Sequence, residues 1–330
     1  MAEFSDLIVL TVDDLEGNLG AAKFREFVSK SEAFFVDQVT EIANHILSHP
    51  SIRAIFISGP TSSGKTTSTK LMTRRLTDAG LQAHHLELDD YYRPAELRYD
   101  KDGRPDFESI DTIDLELLGS DLERLFAGEE VAIPTFDFKV RERRFDPEKR
   151  LKLTANDVLL VEGLHGLSDI VMNKVPRERR LSYFIMPHAR VLSDRRMLSG
   201  SDIRILRRIS RDVRKRATTA IDTIDYWPMI DQSERDFIPR YLEAADFYIN
   251  SVLMYEFAVI APMARAEIEK SLDLFFQGDL PPSRYVINGA EHSDLKRAVK
   301  EAVRLSYVCE QLPTADPSFV PEDSILQEFI

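Results

Sequence analysis

The segment Gly59-Pro60-Thr61-Ser62-Ser63-Gly64-Lys65-Thr66 satisfies the pattern G-x-x-x-x-G-K-[ST], whose chemistry is the binding of a polyphosphate. Its glycines allow backbone N–H groups to turn inward around an anion at the positive end of a following helix. Lys65 then reaches the β- and γ-phosphates, and the Thr66 hydroxyl is offered to Mg²⁺. The cofactor this implies is ATP or GTP with Mg²⁺. The same pattern also arises by chance in turns, so the flanks decide. Residues 53–58 form a short apolar run between Pro50 and Gly59, as a buried parallel strand does. Residues 66–79 suit a helix closed by Gly80, with Leu71, Met72, Leu76 and Ala79 on one side.

Two further strand ends deliver acids. The run 81–88 leads into Asp89-Asp90-Tyr91-Tyr92, and the apolar run from Asp157 ends in Glu162-Gly163. In open α/β sheets ligands gather beyond the carboxyl ends of the strands, so Asp89 is placed to face whatever the loop holds. A turn or capping aspartate is the rival reading. Glu162, after so apolar a run, is the acid expected to order Mg²⁺.

Basic residues concentrate between positions 190 and 216, where Arg204, Arg207, Arg208 and Arg211 fall on one face of a helix. RNA binding is disfavoured by a net charge of -13. A solvated face paired within itself would have only Asp202 and Asp212 to neutralise it. A lid that closes over polyphosphate and excludes water is preferred.

The elements that must position these groups follow in order. Residues 1–20 read as a short strand and a turn, and residues 21–49 as a long amphipathic helix packed on the core. Residues 93–113 are an excursion over the active face, 114–127 a helix, 131–134 and 136–138 strand-like pieces, and 139–150 a charged loop. Residues 180–186 and 246–250 read as strands; 231–245, 251–270 and 295–312 read as helices. The arrangement predicts an α/β class and a P-loop NTPase fold: a mostly parallel, doubly wound sheet with flanking helices and an Arg-rich helical lid. The expected division is an N-terminal extension at 1–50, a kinase domain at 51–280, and a C-terminal helix and tail at 281–330. The chain has 330 residues and a single cysteine, Cys309, with no apolar stretch near ~20 residues. A reducing, cytoplasmic setting without membrane or nucleic-acid partners is expected.

In this order the motifs resemble the uridine kinase and phosphoribulokinase family over roughly residues 50–260. The segments that carry the likeness are 59–67, Asp89-Asp90-Tyr91-Tyr92, Phe107-Glu108, Pro134-Thr135-Phe136-Asp137-Phe138, Glu162-Gly163 and the stretch from Asp202 to Arg216. Tyr226-Trp227-Pro228, Tyr255-Glu256 and the stretch 324–330 are similar to a bacterial branch of uridine kinase-like nucleoside kinases. The resemblance implies Asp89 as general base, and Tyr92 and Phe107 lining a nucleoside pocket. Glu108 would hold the ribose, and Phe136 and Phe138 would bracket the base. Thr67 would join the phosphate loop; Arg207, Arg211 and Arg216 would belong to the lid, with Arg204 at the substrate. Dimers or tetramers are common in the family, so a homo-oligomer is implied. The family's acidic ribose contact, base-contacting Tyr and pyrimidine-reading His are here Glu108, Phe136 and Arg141. Arg141 and Arg143 suit an acceptor that already carries a phosphate.

The leading expectation is in-line transfer of a phosphoryl group from ATP or GTP to a nucleoside hydroxyl, with Asp89 as base and Lys65 and the arginines carrying charge. Two rivals remain open: a kinase of another small alcohol, such as a sugar phosphate or a pantothenate-like molecule, and a nucleotide-binding regulator without catalysis. A translation-type GTPase is disfavoured because Asn173-Lys174 is followed by Val175-Pro176 and lacks the guanine-reading aspartate.

Overall fold

A computed structural model describes residues 7–93, 98–137, 140–193, 196–216, 218–286 and 291–330. Its first element is β1 (Ile8–Thr11), followed directly by α1 (Val12–Gly17). The turn expected at Asp13 and Asp14 is thus a short helix. Thr11 and Asp14 form a reciprocal capping box that satisfies its first backbone donors. The long amphipathic helix is present as α2 (Ala21–Ser48), which buries Phe24, Phe27, Phe35, Val39, Ile42 and Ile46.

The strand before the phosphate loop is β2 (Ala54–Ser58) and the helix after it is α3 (Lys65–Asp78). They are followed by β3 (Gln82–Glu87), α4 (Leu115–Phe126), β4 (Glu130–Asp137) and β5 (Glu142–Lys152). Next in the chain are β6 (Asp157–Glu162), α5 (Asp169–Met172), β7 (Arg180–Met186), β8 (Ala189–Leu192) and β9 (Arg196–Leu198). The remainder is α6 (Gly200–Arg216), α7 (Ala220–Ala244), β10 (Phe247–Asn250), α8 (Glu256–Gln277) and α9 (Leu295–Glu310).

Five strands form an all-parallel sheet in the order β10-β7-β2-β6-β3, with the loop-bearing β2 at its centre. Successive side chains alternate between its faces. Ile55, Ile57, Leu160, Tyr183 and Ile185 enter one core, while Phe56, Leu159, Val161 and Phe184 enter the other. Burial on both faces explains why these strands read as unbroken apolar runs. The first core also takes in α2, α8, α9 and Ile325, Leu326 and Phe329 near the C-terminus.

Two further readings are corrected. The expected charged loop at 139–150 contains most of β5, which pairs antiparallel with β4. Almost every β5 side chain contacts solvent, so no apolar alternation marks the strand. Helix α7 begins at Ala220, eleven residues before the expected Asp231, with a Thr219–Asp222 capping box. Pro228 lies within it, and the carbonyl of Ile224 that would lose its partner accepts from Arg297 Nη2 at 2.8 Å.

Candidate active site

Residues 59–64 turn at the carboxyl end of the central strand. Ser62 and Gly64 both adopt left-handed backbone conformations, with φ of 57° and 88°. Gly59 has no room for a side chain, since a Cβ there would meet Ile185 O at 2.1 Å. Three successive carbonyls are drawn towards cations: Pro60 O accepts from Lys65 Nζ at 3.2 Å, Thr61 O from Arg204 Nη1 at 3.4 Å, and Ser62 O from Arg207 Nη1 at 3.3 Å. Of the loop's amides, Ser63 N–H is tied within the loop, to Pro60 O at 3.3 Å. Ser62 Oγ and Ser63 Oγ are buried with no hydrogen-bond partner. Such orphaned hydroxyls in a cradle of turned amides fit a phosphate.

Strand register brings the acids to this cradle. Ile57 lies opposite Glu162, and Glu87 lies opposite Glu162 from the other side. Gly59 and Asp89 therefore leave the sheet at the same level, two strand spacings or about 10 Å apart. Thr66 Oγ1 donates to Glu162 Oε2 at 3.3 Å, so a hydroxyl and a buried carboxylate meet where a divalent cation would bind.

The adjacent aspartates separate in role. Asp90 accepts from Lys149 Nζ at 2.7 Å and from the Phe136 amide at 3.4 Å, which ties the β4–β5 hairpin to the end of β3. Asp89 opens on the cleft. Asp89 remains solvent-exposed, yet its carboxyl is pushed up towards about 7, first by the protein crowding it and then by Glu162, with Lys65 opposing. The direction follows first from removal of water around the carboxyl and second from the like charges beside it. Burial likewise raises Glu87 and Glu108; Glu162 adds to the first, and Arg208 opposes the second.

On the acceptor side, Tyr92 donates to Phe107 O at 3.3 Å and its ring lies 5.5 Å from that of Phe136. Phe136 is buried and backs Tyr92. Phe107 carries the guanidinium of Arg141 over its ring at 4.8 Å. Phe138 lies outside the described residues.

The model of the phosphoribulokinase / uridine kinase family matches residues 54–257 of this chain. The chain belongs to that family. Among similar proteins, uridine kinase from Halobacterium salinarum is 30% identical over 199 residues, covering 59% of this chain and 79% of its own. Uridine kinase from Clostridium botulinum is 27% identical over 197 residues, covering 59% and 86%. A solved structure described as a possible uridine kinase from Bacillus stearothermophilus aligns with 64% of this chain and 97% of its own, at TM-score 0.44 and 16% identity. This member of the family is thus a P-loop kinase, a phosphotransferase acting on a small molecule.

Within this kinase the arginine stripe is neutralised more fully than Asp202 and Asp212 alone would allow. Arg204 and Arg207 take their acids from other helices, whereas Arg211 and Arg216 share Asp212 of α6 itself. Arg204 makes a two-pronged pair with Glu234 at 2.6 Å and lies 5.4 Å from the Trp227 ring, which ties α6 to α7 beside the loop. Arg207 is fully buried between Glu256, at 2.7 Å, and the Phe329 ring, at 5.2 Å. Arg211 bonds Asp212 at 2.7 Å and approaches Glu328 at 3.6 Å. Arg216 is half exposed, 3.6 Å from Asp212. Arg143, expected at the acceptor, bonds Asp114 at 2.8 Å, the capping residue of α4.

Two further residues lie near the site: Arg208, read from sequence only as a member of the stripe, and His165, which carried no assignment. Arg208 reaches Thr61 Oγ1 at 3.3 Å and lies 5.7 Å from the Tyr226 and Tyr285 rings, which stack on each other. His165 Nε2 meets Glu108 O at 2.7 Å and its Nδ1 meets Tyr241 Oη at 2.8 Å. A carbonyl only accepts, so Nε2 carries the proton and Nδ1 accepts from the tyrosine. No short motif marks either role, because Glu108 lies 57 residues from His165 and Thr61 lies 147 residues from Arg208.

Proposed function

We propose that this kinase transfers the terminal phosphoryl group of ATP, or GTP, to a hydroxyl of a nucleoside. The observation that supports the reading is the shared level of Asp89 and the phosphate cradle, with the Lys65 charge close enough to oppose the rise in the Asp89 pKa. Asp89 orients the acceptor hydroxyl and takes its proton; a carboxyl whose pKa lies close to neutrality is suited to that exchange. The loop amides and the Ser62 and Ser63 hydroxyls bind the phosphates, and Lys65 swings from Pro60 O to the transferring group. Thr66 and Glu162 would hold Mg²⁺, which when bound neutralises charge on the phosphate oxygens. Tyr92 and Phe107 bind the acceptor, and His165 fixes the backbone of Glu108 so that its carboxylate meets the ribose.

Asp89→Asn should keep nucleotide affinity while turnover falls by roughly 10²–10⁴-fold, the usual worth of general-base help. An unchanged rate removes Asp89 from the reaction. An acceptor panel read by ATP consumption tests the substrate: nucleosides should outpace pantothenate-like alcohols. One observation favours a second reading. Among the described residues no carboxylate pairs with Arg141, which lies over Phe107 on the acceptor side, so an acceptor bearing a phosphate is the competing class. Sugar phosphates and nucleotides therefore belong in the panel. ATP binding with no acceptor turned over would favour the regulatory reading.

A further inference from the structure

Beside the phosphate cradle lies a group of three donors, of which phosphoryl transfer as proposed above uses only Glu162. His85 and Glu87 are two residues apart on β3 and share a face, and Glu162 stands opposite Glu87 on β6. One donor atom from each of the three lies within 4.8 Å of the others. His85 Nδ1 is 3.7 Å from Glu87 Oε1 and His85 Nε2 is 3.6 Å from Glu162 Oε2. Both separations exceed hydrogen-bond length, and Nε2 is buried with no hydrogen-bond partner. Two carboxylates thus face each other across adjacent strands with an imidazole nitrogen unengaged beside them. Like charges so placed repel unless a cation lies between them.

The donor set says which cation. Ligands about 2.0–2.2 Å from a metal stand up to about 4.4 Å apart, so slight side-chain shifts would close this group on an ion. Mg²⁺ takes oxygen donors and keeps its waters, whereas an imidazole nitrogen beside carboxylates suits first-row transition cations. We infer that His85, Glu87 and Glu162 form a nitrogen-containing site for a divalent transition cation, of which Mn²⁺ is the probe, filled even without nucleotide. The inference rests on Glu162 facing metal, as proposed above, but not on the transfer reaction or its acceptor.

The test uses the full chain, stripped with chelator and free of nucleotide, titrated with Mn²⁺ while free ion is followed by electron paramagnetic resonance. The expected result is one bound Mn²⁺ per chain, retained against a tenfold excess of Mg²⁺, with ¹⁴N coupling in the spin-echo spectrum. His85→Gln, which keeps a polar side chain, should abolish the coupling and weaken Mn²⁺ by at least tenfold, and Glu87→Gln should weaken it similarly. Thermal melts of both variants confirm folding. Absence of Mn²⁺ binding, binding without nitrogen coupling, or coupling that survives His85→Gln would each overturn the site; in the last two cases the imidazole merely spaces the carboxylates. None of these outcomes bears on phosphoryl transfer, since neither nucleotide nor acceptor is present.

Discussion

At the scale of single residues, the acids and the histidine of this kinase show how burial sets charge. His165 is 4% exposed, and burial lowers its pKa to about 4 from an ordinary 6.5. Between those values the unfolded chain binds the extra proton and the folded chain does not. Stability should therefore fall as pH drops from 6.5 towards 4 and be recovered above 6.5, by roughly 3 kcal/mol at full extent. Urea unfolding at pH 4.5 and 7.5 measures the difference, which His165→Gln should largely remove. Asp89, Glu87 and Glu108, whose carboxyls are raised on folding, act in the opposite sense over this window. The His165 contribution is therefore read as the difference between wild type and His165→Gln, and equal pH dependence of the two would mean the folded protein accepts the proton. Asp89 and Asp90 teach the complementary lesson. Both are legible in the sequence as acids at a strand end, yet Lys149, 59 residues later in the chain, engages Asp90 and leaves Asp89 to face the cleft.

At the scale of elements, α6 stands against the loop it was expected to cover. A guanidinium buried with one carboxylate is costly to strand, because its partner is left charged and out of water. Arg207→Ala should cost about 3–5 kcal/mol in denaturant unfolding. Arg207→Met combined with Glu256→Met should recover much of that loss while nucleotide affinity stays low, since Ser62 O has lost its donor. Equal nucleotide affinity in the double variant and the wild type would show that Arg207 does not hold the loop.

The C-terminal segment is the second element against the cradle. A Cβ on Gly64 would lie 2.0 Å from Ile325 Cδ1, in a backbone conformation that already disfavours side chains. Gly64→Ala should therefore displace the segment as well as the loop. Ile325→Ala should cost about 2–5 kcal/mol, and calorimetric titration should show weaker nucleotide binding. Undiminished nucleotide affinity would separate the segment from the site. In the β4–β5 hairpin, whose first strand the sequence foreshadows, β5 is the element that sequence reasoning could least foresee. The two strands hold through backbone pairing and through ion pairs such as Arg150–Glu130 at 2.9 Å, and neither leaves a periodic apolar trace.

At the scale of the molecule, both ends of the chain complete the core of the middle. Gln38 on α2 exchanges hydrogen bonds with the backbone of Asn250 at the end of β10, at 2.8 and 3.1 Å. Pro262 within α8 would orphan the carbonyl of Ala258, and the Ala315 amide donates to it at 2.8 Å. Arg297 serves Ile224 in the same way within α7. Because these repairs span the sequence, unfolding followed by Trp227 fluorescence and by far-ultraviolet circular dichroism should coincide in one transition. An earlier transition in one signal would reveal a part that opens alone. Among the described residues no helix is long and apolar enough to cross a membrane.

The sequence by itself determined the phosphate loop, the strand and helix that flank it, the acids at two strand ends and the family. Each of these is written in neighbouring residues, through glycine spacing, runs of apolar side chains or a cap. Only the tertiary structure decided which arginines are consumed by carboxylates, that His85 meets Glu162, and that Ile325 closes on Gly64. Apart from the pairs with Asp212 inside α6, those outcomes at the site join residues at least 29 positions apart, where periodicity is silent and only the packing of one element on another selects the partner.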